Sequence, residues 1–420
     1  MDEKAQFYVY EAIIASVLLL LSTLFVYTLS PPPTVSPQST IQLKILADRA
    51  LDILKNKPAQ QFFELGSASL PPDQEWKYIR FDKEFSSTPA VFVTIKTYNE
   101  GRCDVDYKDR DAGAYIRIKN VTTEGFQVRV EEPSSQDGKH KSENISYLAI
   151  HYGIYNIGDA TLEVGRIDNL TDSYKNVKFI ETYNETPAII STIQSYNDGE
   201  FVEPRIRNPS STTFEIKLEE ERDTYHAEET VAYLAIEPGL YTGVLFNALL
   251  RVYAEKTPNS VTHNWYTITF PNNVFSKPPE IFAQIMTENG NQNAHARVNN
   301  LSNTDVNVAV EEAGAIYDGT HTKEEFGVIA IEIIALENYT DRLTQLIMIN
   351  DNISHEEFSS FMNSMLPENV FYQVRLYDGM NIYMWYTGEK KEYARKTARS
   401  HYIISSGTRV YDVELEIWSI

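Results

Sequence analysis

One block of fixed internal spacing occurs three times in this chain, and it sets the domain count. Arg117-Ile118-Lys119-Asn120, Arg205-Ile206-Arg207-Asn208 and Arg297-Val298-Asn299-Asn300 each open a copy. Apolar residues then alternate: Phe126, Val128 and Val130; Phe214, Ile216 and Leu218; Val306, Val308 and Val310. A double glutamate follows at once, as Glu131-Glu132, Glu219-Glu220 and Glu311-Glu312. After a variable loop comes His-x-x-Glu, with His140 and Glu143, His226 and Glu229, and His321 and Glu324. Each copy closes on an apolar run ending in Ile150, Ile236 or Ile331. Alternation with period two predicts strands half-buried against a core.

The repeat extends upstream. Phe81, Phe179 and Phe270 each follow an aromatic (Trp76, Tyr174, Trp265) and lead through Phe85, Tyr183 or Phe275 to a proline. A β-prone run such as Ala90-Val91-Phe92-Val93-Thr94-Ile95 comes next, ending in Tyr98-Asn99, Tyr196-Asn197 or Glu288-Asn289. The first copy carries an extra charged stretch, Gly101 to Gly113, of the kind that belongs in a surface loop. A period of about 90 to 100 residues is too long for a solenoid and suits a small β-sandwich. The expected fold class is therefore mainly β, with three tandem six-stranded antiparallel β-sandwich domains at 59–153, 154–240 and 241–335.

The rest of the chain divides around these copies. From Phe7 to Leu29 it is apolar apart from Glu11, which predicts an N-terminal transmembrane helix within residues 1–30. A proline-rich spacer and an amphipathic helix occupy 31–58. There Ser39-Thr40-Ile41-Gln42 reads as a capping box, and Leu43, Leu46, Ala47, Ala50 and Leu54 form one face ahead of Pro58. Residues 336–420 read as a small C-terminal α+β region. It has a second capping box at Ser354-His355-Glu356-Glu357 and strands over Val370–Leu376 and Val410–Ile420. Packing of this region on the 31–58 helix would make the repeats an insertion into one base domain.

A net charge of −22 argues against nucleic acid and anionic membrane surfaces as partners. The single cysteine, Cys103, rules out an internal disulfide. No phosphate loop, nucleophile elbow or HExxH motif is present, so the expectation is a protein that is not an enzyme and has no cofactor or metal.

The segment Lys4-Ala5-Gln6-Phe7-Tyr8-Val9-Tyr10-Glu11-Ala12-Ile13-Ile14 resembles the leader of archaeal type IV pilin-like proteins. The resemblance implies cleavage between Ala5 and Gln6. It also implies a role for Glu11 in neutralising a terminal amine during assembly, although Glu11 would be sixth in the mature chain where that family has its glutamate fifth.

The order of features in the repeats resembles the H-type lectin domain. The likeness is carried by the aromatic and phenylalanine ahead of a proline, then by Arg-[Ile/Val]-x-Asn. In the first copy it continues through Val121-Thr122-Thr123-Glu124-Gly125-Phe126. It implies carbohydrate binding through Arg117, Arg205 and Arg297, with Asn120, Asn208, Asn300, Glu132, Glu220, Glu312, His140, His226 and His321 nearby. The family's stacking Trp-His pair would fall at Pro133-Ser134, Glu221-Arg222 and Ala313-Gly314, where no aromatic stands. Each arginine alternatively makes a structural ion pair with the adjacent glutamates. The histidines either share a cation or pin a loop through backbone hydrogen bonds.

Sequons at Asn120, Asn144, Asn169, Asn184, Asn300, Asn338 and Asn352 are candidate glycosylation sites, all beyond the spacer and consistent with an outward-facing body. Two functional readings follow. The first is a membrane-anchored or pilus-associated adhesin, single-pass with its bulk extracellular, whose expected partners are extracellular glycans or glycoproteins and other pilin-like subunits. The second is a structural surface-layer or minor pilin-like protein whose sandwiches are spacers. The copies themselves could stand as a linear string or close into one compact head.

Overall fold

A computed structural model describes residues 37–56, 61–99, 113–134, 138–221, 226–246, 248–271, 274–290, 292–312, 320–336, 362, 366, 370–377, 382–387, 396–406 and 409–419. The apolar segment 7–29, Ala5, Gln6, Glu11, Cys103, Asn338, Asn352 and the capping box at 354–357 lie outside these residues. Among the described residues no helix is long and apolar enough to cross a membrane.

The alternating runs form antiparallel sheets that pair into sandwiches. In repeat 1 the order Phe63–Ser69, Asn144–Ile150, Ala90–Ile95 makes one sheet, and Lys77–Arg80, Gly125–Glu131, Tyr115–Lys119 the other. Repeat 2 reproduces them with Ala160–Leu170, Glu229–Ile236, Ala188–Ile193 and with Lys175–Lys178, Thr213–Glu220, Val202–Arg207. Repeat 3 uses Ala248–Lys256, Phe326–Leu336, Glu280–Ile285 and Tyr266–Thr269, Asp305–Glu312, Ala294–Asn299. Among the described residues, six strands hold for repeat 1 alone. In repeats 2 and 3 the linker itself becomes a seventh strand, Gly153–Ile157 or Gly239–Leu245, because it doubles back as a hairpin onto the next strand.

The upstream signature is explained by the cores. Phe81 and Phe85 meet edge to face at 4.8 Å, Phe179 and Tyr183 at 5.1 Å, and Phe270 and Phe275 at 5.0 Å. Each pair seals one sandwich beside Phe126, Phe214 or Val306, and each ring contributes roughly 1.5–3 kcal/mol by leaving water.

One strand of each repeat is covered on both faces: Ala90–Ile95, Ala188–Ile193 and Glu280–Ile285. One face lines its own sandwich, and the other meets the equivalent strands of the other two repeats, each touching both. The residue following each strand reaches a neighbouring repeat. Lys96 Nζ contacts the Glu280 carboxylate at 2.7 Å. Gln194 accepts from Val91 N at 2.9 Å and donates to Val91 O at 2.8 Å. Ile189 N donates to Met286 Sδ at 3.4 Å. Repeat 1 thus reaches repeat 3, repeat 2 reaches repeat 1, and repeat 3 reaches repeat 2. Of the two arrangements open from sequence, the structure is the closed ring.

A second unit joins the helix Pro37–Asn56 to the sheet Ile382–Thr387, Val370–Tyr377, Arg409–Ser419, Lys396–Ser406. Leu43, Ala47, Ala50 and Leu51 share a core with Tyr372, Val374, Ala398, Val413, Leu415 and Ile417. Pro37, not Ser39, opens the helix, in keeping with the tolerance of proline in a first turn, where an N–H would have no intrahelical acceptor.

Candidate functional site at the repeat seams

The repeated polar residues converge where one repeat meets the next. Each arginine lies on a strand whose outer face is covered by the following repeat. Arg117 reaches Glu229 of repeat 2 at 3.2 Å, Arg205 reaches Glu324 of repeat 3 at 3.2 Å, and Arg297 reaches Glu143 of repeat 1 at 3.3 Å. Each also donates to a backbone carbonyl across the seam, respectively Asp198 O, Ala294 O and Ala114 O. Within its own repeat each pairs with the first glutamate of the doublet: Glu131 at 3.4 Å, Glu219 at 3.9 Å and Glu311 at 3.2 Å.

The second glutamate of each doublet serves the histidine. His140 sits between Glu132 at 3.1 Å and Glu143 at 3.4 Å. His226 lies between Glu220 at 2.5 Å and Glu229 at 3.3 Å, and His321 between Glu312 and Glu324, both at 3.1 Å. The His-x-x-Glu glutamate is the hub. Glu143, Glu229 and Glu324 each accept from a backbone N–H (Asn99, Asn197, Asn289) and a hydroxyl (Thr97, Ser195, Thr287) as well as from histidine and arginine. An aromatic ring completes two seams, with Tyr196 4.8 Å from Arg117 and Tyr98 4.8 Å from Arg297; Glu288 stands at the third.

Burial and charge act against each other here. Burial alone would lower the pKa of His140, but hydrogen bonds to Glu132 and Glu143 outweigh it and push it up to about 9. His226 and His321 are raised by the same opposition. Burial raises the carboxyl pKa at Glu143, Glu229 and Glu324, but it is overcome by histidine, hydroxyl and arginine partners, so all three titrate below the usual range. Glu131 and Glu219 go the other way, with burial prevailing.

A further polar group occupies the centre of the ring. Two residues before each arginine stand Tyr115, Glu203 and His295, which occupy equivalent strand positions. His295 Nδ1 lies 3.3 Å from Glu203, its Nε2 lies 3.1 Å from Glu311, and its ring is 5.8 Å from that of Tyr115. Burial would lower the His295 pKa, yet its two carboxylate neighbours raise it. Glu311 is held down to about 2 by Arg297 and His295 against the burial that would raise it.

This geometry corrects the expectation of glycan-facing arginines. Arg117, Arg205 and Arg297 are 0%, 1% and 2% exposed, and their guanidiniums are spent on carboxylates and carbonyls. Glu132, His140, His226, Glu312 and His321 are likewise buried, and Glu220 lies against His226. The histidines hold carboxylates and not the backbone. Among the described residues, no group of three or more His, Cys, Asp or Glu is placed to share a metal ion. Asn120, Asn208 and Asn300 are exposed at the turn, with φ of 52°, 50° and 50°, a left-handed conformation that asparagine tolerates. The sequons at Asn120, Asn144, Asn169, Asn184 and Asn300 are all exposed. Sequence reading did not select Glu143, Glu229 and Glu324 as site residues, nor Tyr115, Glu203 and His295. The first set was visible as a repeated column; the second was not, because each copy holds a different residue.

Residues 76–150 match the H-type lectin domain. Over 308 residues, or 71% of this chain, the sequence is 25% identical to halomucin of Haloquadratum walsbyi, but it spans only 3% of that protein's length. No solved structure matches the chain.

Replacing Arg297 by alanine removes the guanidinium shared by buried Glu143 and Glu311 and should cost about 3–5 kcal/mol in urea denaturation of the full chain. Arg166→Ala, at a pair whose side chains are 52% and 57% exposed, should cost less than about 1 kcal/mol. Equal losses would contradict the assigned roles. The pH dependence follows from the shifts. A histidine pKa raised on folding stabilises fully below the unfolded value near 6.5 and loses that contribution as pH rises through about 9 for His140. The depressed hub glutamates stabilise above the unfolded value near 4.5 and lose their contribution as pH falls through their folded values. Stability should therefore peak between about pH 4.5 and 6.5, with the His140 contribution alone on the order of 3 kcal/mol. A stability maximum above pH 9 would overturn the account.

Proposed function

We propose that this chain is a surface protein presenting one three-lobed carbohydrate-binding head, and that it acts as an adhesin toward extracellular glycans or glycoproteins. The observation that carries the reading is the H-type lectin match over residues 76–150, in a chain that repeats the same sandwich three times. In this reading Arg117, Arg205 and Arg297, with their glutamates and histidines, fasten the head, and glycans are met on its outer surface. A ring of three lobes presents any outer site in a fixed geometry, which favours multivalent capture of repeated sugars. The apolar segment 7–29 would hold the head at a membrane; release of the protein by an alkaline wash without detergent would contradict that part.

A structural reading is favoured by one observation. The positions of the family's Trp-His pair hold Pro133-Ser134, Glu221-Arg222 and Ala313-Gly314, so no stacking platform stands where that family has one. A glycan array probed with the full chain in detergent separates the two readings. The adhesin reading predicts retention on a defined subset of glycans that is competed by the free sugar. Uniform absence of binding would leave the spacer reading in its place.

A further inference from the structure

In each repeat an aromatic stands at the seam on the outer face of the sheet that carries the arginine strand: Trp76, Tyr174 and Trp265. In repeats 1 and 2 the ring is covered by two cations from neighbouring strands. Lys119 Nζ lies 4.0 Å and Arg129 4.6 Å from the Trp76 ring. Arg207 lies 3.5 Å and Lys217 Nζ 5.0 Å from the Tyr174 ring.

Repeat 3 keeps the aromatic and loses both cations. The positions of Lys119 and Arg207 are held by Asn299, and those of Arg129 and Lys217 by Ala309. The register pairing Tyr266 with Val308 puts Ala309 beside Trp265, in the row where Arg129 stands in repeat 1. The next row holds Thr267, Asn307 and Asn299. Trp265 is 36% exposed. Its seam contact is unchanged, since it meets Tyr98 of repeat 1 edge to face at 5.2 Å, as Trp76 meets Tyr196 at 5.3 Å. Tyr98 is itself fixed by a 3.0 Å hydrogen bond to Glu311 and by the Arg297 guanidinium. The indole thus keeps its counterpart's contact across the seam, while Asn299 and Ala309 stand at the two positions that hold cations in the other repeats.

From this we infer that the Trp265 ledge of repeat 3 is a binding site for a neutral pyranose, a hexose or an N-acetylhexosamine, and that the other two repeats lack it. The inference rests on the carbohydrate-binding reading above and names a site for it. An indole face takes the C–H face of a sugar ring, and amide groups alongside it recognise hydroxyls. Asn307 Oδ1 accepts from Thr267 at 2.8 Å and Asn299 Oδ1 accepts from Asn300 N at 2.6 Å, which sets both amides and directs their use toward donation through Nδ2. With asparagine and alanine in place of the two cations, and a net charge of −22, acidic sugars are disfavoured.

The test titrates the full chain with methyl glycosides of glucose, galactose, mannose, N-acetylglucosamine and N-acetylgalactosamine, with the glucuronide as acidic comparison. Binding is read by saturation-transfer NMR and the dissociation constant by calorimetry. Ala309→Lys restores the cover seen in repeat 2 while leaving Trp265 in place, so it tests the site even if Trp265→Ala perturbs the seam. Both substitutions should weaken the bound neutral glycoside by about tenfold or more, and Trp76→Ala by less than about twofold. Unchanged binding in Ala309→Lys and Trp265→Ala would overturn this site and leave the carbohydrate reading standing. Equal weakening by Trp76→Ala would also overturn it. A wild-type chain that binds none of these sugars would remove the site and count against the reading it rests on.

Discussion

The head depends on a buried arginine in each repeat finding a carboxylate that only the next repeat supplies. A charge taken out of water is costly unless it is paired and hydrogen-bonded, and a buried pair is weak evidence for stability as such. Its consequence here is connectivity. Three repeats in a linear string satisfy two arginines and leave the third buried or exposed without its glutamate. Three repeats in a ring satisfy all of them, because Arg297 returns to Glu143 of the first repeat. The ring therefore buries every arginine with a matched carboxylate, and the doubly buried strands at the centre supply the area that holds it closed.

Placing three copies in one chain also frees equivalent positions to differ. The position that joins neighbouring central strands is lysine, glutamine and methionine in turn, and each makes a different bond to its neighbour. The central trio is tyrosine, glutamate and histidine. A homotrimer would have to place the same residue three times at the axis, and three glutamates there would repel one another. The same freedom lets repeat 3 replace two ledge cations with Asn299 and Ala309 while its seam to Tyr98 stays intact.

Much of the fold was legible because strand alternation and aromatic spacing are local signals. Phe126, Val128 and Val130 point inward for the reason their spacing suggests, and Phe81 and Phe85 of the upstream signature meet edge to face. The seventh strands were missed because Gly153–Ile157 and Gly239–Leu245 are defined by the hairpin each makes with the next strand, not by strong alternation of their own. The polar set was legible as a set but not in its role. Exposed glycan site and buried seam demand the same residue types, since both need charged donors beside carboxylates. What decides between them is which repeat covers which strand, a long-range fact with no local signature. His295 and Glu203 were invisible for a related reason: nothing repeats there except the position.

The most direct measurement of the closed ring uses a contact that no string could make. Lys96 Nζ and the Glu280 carboxylate lie 2.7 Å apart across the seam between repeats 1 and 3, although 184 residues separate them in the chain. Lys256 and Glu325, also 2.7 Å apart, provide a control within repeat 3. Zero-length carbodiimide cross-linking of the full chain at dilution, followed by peptide mass spectrometry of the monomer fraction, should yield both the Lys96–Glu280 and the Lys256–Glu325 linked peptides. Recovery of the control link without the Lys96–Glu280 link would contradict the ring.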